Sequence, residues 1–285
     1  MYFPNIKQHI NNLVFIIVAT LVSLNACAAD LDPQNDTVNG FDHKHKVWED
    51  LLHSNVIWTD DGNASRVRYH GFKIQATQFN TYLDSISNVS QQEFNNWTKP
   101  QQLAFLINAY NAYTIKLILS KYPDLASIKE LGSILTNPWK IKFFTFMGKK
   151  TNLDFIEHTL IRKQGAYDEP RIHVAVVCAS IGCPALRNEA FLAETLNAQL
   201  EDSMVRFLSD KTRNRYNTAS GVLEISKIFK WYEGDFVSGY GSLEEFLARY
   251  ATIFTHQHNV KSSILSFDVD IDFLPYNWDL NSHKD

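Results

Sequence analysis

Beyond about Val47 the apolar positions recur almost without a break to the C-terminus, and their spacing predicts helices and strands in mixture. "SRVRYHGF" alternates weakly, and Phe72 to Ser87 then takes helical spacing, with Phe79, Tyr82, Leu83 and Ile86 on one face. Thr98 to Lys121 carries the strongest helix signal. Thr98 can cap it, Pro100 falls in its first turn and Pro123 follows its end. Trp139 to Met147 reads as a strand, and Asn152 or Leu153 to Gln164 as a helix with Gly165 as its stop. Ile172 to Cys178 is β-branched and apolar, the pattern of a buried strand, and Pro184 to Asp210 is mostly helical. Gly221 to Ser226 predicts a short strand, Leu243 to Tyr250 a helix and Ser266 to Leu274 a final strand. The expected class is α+β: one helix-rich domain, residues 47–281, around a small mixed sheet.

The start of the chain follows another rule. Leu13 to Leu24 ("LVFIIVATLVSL") is an uninterrupted run of apolar and small residues. It has the length of a signal-peptide core and is short for a membrane span. Small residues follow it, so residues 1–28 are expected to be an export signal. "LNAC", Leu24 to Cys27, also resembles a lipobox, which would lipidate Cys27 and attach the protein to a membrane. Asn25 departs from the small apolar residue usual there. The expected location is the periplasm, either free or as a membrane-anchored lipoprotein. Residues 29–46 are polar and read as a linker.

Composition changes this picture little. The chain has 285 residues, 45% hydrophobic, and a formal net charge of −4 with no basic run, which argues against nucleic acid as a partner. Cysteine usage matters more. With Cys27 removed or lipidated, Cys178 and Cys183 remain as an even pair in an oxidising compartment.

Four stretches carry candidate chemistry. Ala104, Asn108, Asn111, Ile115 and Ile118 form one helical stripe, so two amides lie among apolar groups and must find hydrogen-bond partners. They would either tie down a neighbouring loop or line a pocket; spacing favours the loop. In "LDFIEHTLIR", Leu153, Ile156 and Leu160 mark the buried face; Glu157 lies beside it and His158 further round. Adjacent helical residues diverge by about 100°, so this pair is not a bonded dyad. In "RIHVAVVCASIGCPALR", strand alternation would put His173 and Cys178 on opposite faces and Cys183 at the cap of the next helix, with Pro184 in its first turn. Three readings stay open there: a Cys178–Cys183 disulfide, a thiol nucleophile served by His158 or His173, or zinc held by His173, Cys178 and Cys183. The last of these has unusual spacing, and no cofactor is otherwise expected. "ISKIFKWYEGDF" packs large apolar groups around Glu233 and Asp235, as a core plug or an aromatic pocket wall would.

"FLINAYNAYTI", "LDFIEHTLIR", "PRIHVAVVCASIGCPALR", "ISKIFKWYEGDF" and "FLPYNWDLN" together, in this order, resemble the domain of unknown function 547 family. The resemblance implies that Asn108, Asn111, Glu157, His158, His173, Cys178, Cys183 and Pro184 stand at the family's motif positions and surround one site. It implies no established reaction. Bacterial members often carry export signals. The family's last motif often reads Tyr-Asp-Trp, where this chain has Tyr276-Asn277-Trp278. Two functions follow as expectations. One is cysteine-dependent acyl transfer or amide hydrolysis on an unidentified small molecule or peptide, with Asn108 or Asn111 orienting the base or binding an oxyanion. The other is a non-catalytic envelope module locked by the disulfide.

Overall fold

A computed structural model describes residues 40–133 and 136–283. The expected signal segment, Cys27 and most of the linker lie outside the described residues. Within the described part of that linker, Phe41 packs edge-on against Phe105 and His45 is buried.

Helix α1 (Lys46–Asn55) leads into a hairpin of β1 (Val56–Trp58) and β2 (Ser65–Val67). Helices α2 (Tyr69–Ile74), α3 (Ala76–Asn88), α4 (Gln91–Asn95) and α5 (Lys99–Leu119) follow. The expected helix over Phe72–Ser87 is thus broken at Gln75, whose backbone leaves helical geometry. The prediction for α5 holds closely. Thr98 and Gln101 form a reciprocal capping box, and the helix is buried on nearly every side. It is the axis of the larger core, against which Phe72, Phe79 and Ile86 pack.

After α5 the chain is irregular. Strands β3 (Phe144–Phe146) and β4 (Lys149–Thr151) form a hairpin, so the expected strand from Trp139 shrinks to its end; Pro138–Lys140 is a 3-10 turn. Phe155–Ile161 winds as a π-helix, closed by Arg162 N–H donating to the Glu157 carbonyl at 2.9 Å. The wider winding explains the burial: Ile156 and Ile161, five apart, face the core with Glu157, and Leu160 moves partly outward.

Ile172–Cys178 is not a strand. Pro170–Val174 is a 3-10 turn and the rest is an unpaired, buried segment. The apolar pattern reported burial correctly, but no strand lies alongside. A helix side chain takes the place of that strand: Asn111 donates to the Ala175 carbonyl at 2.9 Å and accepts from Val177 N–H at 3.0 Å. Asn108 does the same for Phe191, at 2.8 and 3.0 Å. The predicted helix from Pro184 begins only at Leu196, as α6 (Leu196–Ser209).

The C-terminal part builds a second core. Strands β5 (Arg215–Asn217) and β6 (Val222–Ser226) pair antiparallel, then come α7 (Lys227–Trp231), α8 (Glu233–Val237), α9 (Leu243–Ala248), α10 (Ala251–Phe254) and α11 (His258–Leu265). Strand β7 (Ile271–Leu274) joins β6 in parallel, completing a mixed three-stranded sheet, though the predicted strand began at Ser266. Helix-rich α+β is therefore the class. The last residues return to the first core, where Ile181 and Gly182 N–H donate to the Asp279 and Asn277 carbonyls, each at 2.8 Å. No described helix is long and apolar enough to cross a membrane.

Candidate functional site

A cavity of about 190 Å³ opens where the two cores meet. The π-helix presents Glu157 and His158 to it, Asp154 joins them from just before that helix, and the following segment presents His173, Cys178 and Cys183. Much of the remaining lining is aromatic: Trp231 and Tyr232 at the end of α7, and Tyr276 and Trp278 from the returning C-terminus. Six of the eight residues that the resemblance placed around one site, Pro184 among them, therefore share one cavity. Asn108 and Asn111 do not line it; both amides are consumed by the backbone bonds described above, the loop-tying role. Alternation does not separate His173 from Cys178, because the strand on which that rule depends is absent.

The two sulfurs are bonded to each other, with the Cα atoms 6.1 Å apart. The turn between them needs two unusual backbone features. Ala179 adopts a left-handed φ of 62°, a conformation that costs a residue with a Cβ of order 1 kcal/mol. Gly182 lies so close to the returning chain that a Cβ would come within 2.9 Å of the Asn277 carbonyl. Cys183 is buried and does not cap a helix, since no helix begins there. Its sulfur receives the Cys178 N–H at 2.8 Å. The Tyr276 hydroxyl lies 3.0 Å from Cys178 Sγ and 3.2 Å from Cys183 Sγ, and accepts from Ser180. Burial raises the Tyr276 pKa to about 12, so it stays a neutral donor. With the sulfurs joined, neither offers a thiolate to zinc, and no group of three candidate ligands among the described residues is placed to hold a metal. Asn277 is exposed, and its side chain accepts from Asp279 N–H, closing a turn outside the cavity.

His173 is the most constrained group at the site. Its Nε2 lies 2.7 Å from Asp235 Oδ2, and Arg162 grips the same carboxylate with Nε at 2.5 Å and Nη2 at 3.1 Å. Tyr232 stacks on the imidazole at 3.8 Å between centroids. Burial lowers the His173 pKa, with Asp235 opposing; burial works against the Asp235 charge, yet His173 and Arg162 hold its pKa well below the carboxylate range. The pair is therefore a neutral imidazole donating Nε2–H to a carboxylate. That leaves Nδ1 with its lone pair, and among the described residues it has no partner although it is buried. Only the cluster of aromatic and acidic residues around Asp235 hinted at this; nothing in the spacing pointed to His173 as its partner.

Glu157 accepts from the Tyr110 and Tyr232 hydroxyls, both at 2.9 Å. His158 receives Arg162 Nη1 on Nδ1 at 2.6 Å, and its Nε2 faces Asp154 at 3.7 Å. Arginine only donates, so Nδ1 of His158 carries no proton here.

No curated protein and no solved structure matches the chain. The matching family model covers α5, the π-helix, both cysteines and nearly all of α6, while Asp235, Tyr276 and Trp278 lie beyond it. Over residues 94–208 the chain matches the model of the family described as "Protein of unknown function, DUF547".

Proposed function

We propose that the cavity is a thiol active site for acyl transfer or amide hydrolysis, and that the bonded cysteines are its oxidised form. The observation that carries this is the free, buried Nδ1 of His173, clamped at its other nitrogen by Asp235 in the cavity that both cysteines line. Once a dithiol has reduced the pair, Cys178 is the nucleophile, because it is partly exposed where Cys183 is buried. His173 Nδ1 takes the thiol proton, sulfur attacks the acyl carbon, and the proton passes to the departing amine. Water or a second amine then releases the thioester. Asp235 replaces the asparagines as the group that orients the base, and His158 faces the same cavity without being needed for that step. An exported location, with or without attachment through Cys27, accords with the apolar run Leu13–Leu24 and with a disulfide.

A second reading is a non-catalytic envelope module. It is favoured by the disulfide's place in the seam between the C-terminal segment and the first core, and by the structural use of Asn108 and Asn111. Thiol labelling separates the two. After mild native reduction, an alkylating probe should label Cys178 ahead of Cys183. In His173→Gln the pH midpoint of labelling should move toward that of an ordinary thiol, about 8.5. A pair that stays unlabelled after native reduction, or a midpoint indifferent to His173, would sink the catalytic reading.

A further inference from the structure

Charge and ring placement in the cavity say more than the thiol chemistry requires. Asp154, just ahead of the π-helix, and Glu157 within it are the formally charged residues among the described lining. No imidazolium offsets them: His158 has an unprotonated Nδ1, and burial keeps His173 neutral. Arg162 is not part of the lining; its donors go to Asp235 and to His158 Nδ1. Each Glu157 oxygen accepts one tyrosine hydroxyl and keeps capacity for another donor. His173 Nδ1 adds a buried acceptor without a partner.

The same cavity carries a cluster of aromatic rings. Tyr276 and Trp278 rings lie 4.6 Å apart, Trp231 is 4.9 Å from Tyr276, and Trp139 closes on Trp278 at 6.1 Å. Trp231 remains 45% exposed, so its ring is open to a ligand. The protein already uses one of these rings for a cation: Lys129 Nζ sits 4.0 Å from the Trp278 centroid. Indole faces and carboxylates together attract an ammonium group, and a neutral ligand would gain only the ring contact.

We infer that the cavity binds a primary alkylammonium group, held by Asp154 and Glu157 together with the indoles of Trp231 and Trp278. As a statement about substrate this rests on the acyl-transfer reading: the acyl compound attacked by Cys178 would carry an amine-bearing chain. As a statement about binding it does not.

The test uses the oxidised full chain, so no thiol reaction intervenes. n-Butylammonium should quench tryptophan fluorescence saturably. 1-Pentanol, of similar shape without charge, should bind at least about tenfold more weakly, a difference of about 1.4 kcal/mol. Asp154→Asn and Trp231→Leu should each weaken butylammonium several-fold and leave the far-ultraviolet circular dichroism unchanged. Equal binding of pentanol, preferential binding of methyl glucoside, indifference to Asp154→Asn, or no binding would overturn the ammonium site. Each of those results leaves Cys178 labelling unaffected, and an unreactive Cys178 leaves the ammonium site standing.

Discussion

Helix α5 and the segment from Phe155 to Cys183 lie against each other and are built by opposite means. Helix α5 satisfies its own backbone through regular hydrogen bonds and a capping box, and it contains no histidine or carboxylate. The segment strings together a π-helix, a 3-10 turn, a left-handed alanine and an unpaired buried stretch, and it carries both histidines and both cysteines of the cavity. It holds its shape because the regular element supplies what it lacks: Asn111 stands in for a missing strand, and Tyr110 anchors Glu157. An irregular backbone can point several chemical groups into one small space, and a rigid neighbour keeps it there.

The largest test of that dependence is Asn111→Leu. It leaves the Ala175 carbonyl and Val177 N–H buried without partners, at about 1–3 kcal/mol each, so urea denaturation should show a loss of roughly 2–6 kcal/mol. Amide exchange should accelerate first in residues 172–183, while α5 stays protected.

Acid should act next, through His173 in the irregular segment and through His45 ahead of α1. His173 and His45 are both held neutral by burial, with His45 lowered to about 3 from 6.5. The unfolded chain therefore binds more protons below pH 6.5, and stability falls as pH drops through that value. Each histidine contributes a slope of up to about 1.4 kcal/mol per pH unit, continuing for His45 toward pH 3. Asp235, whose folded pKa is depressed, adds a further loss as pH falls below 3.8. Unfolding free energies that stay flat between pH 7.5 and 5 would contradict this.

Thr98→Ala should matter least. Removing the cap costs about 1 kcal/mol and frays only the start of α5. If thermal melts showed it costing more than Asn111→Leu, the helix and not the amide bridge would be the support that counts.

The regular elements were legible in the chain. α5, with its threonine cap and proline, could be read directly, and so could β6 and α9, because their signals lie within a few residues of one another. The family resemblance grouped Glu157, His158, His173, Cys178, Cys183 and Pro184, which line the cavity, with Asn108 and Asn111, which do not. Their wiring was not legible. His173 and Asp235 are 62 positions apart, and Cys178 and Tyr276 are 98 apart.

The sequence alone determined where apolar surface must be buried, that two amides inside it needed partners, and that two cysteines five apart could bond. The tertiary structure alone decided that the Ile172–Cys178 segment has no neighbouring strand, that the wider winding of Phe155–Ile161 buries Glu157, and that Asp235 reaches His173. Local pattern records how much surface a segment must hide. Which groups meet depends on the neighbours that hide it, and those come from distant parts of the chain.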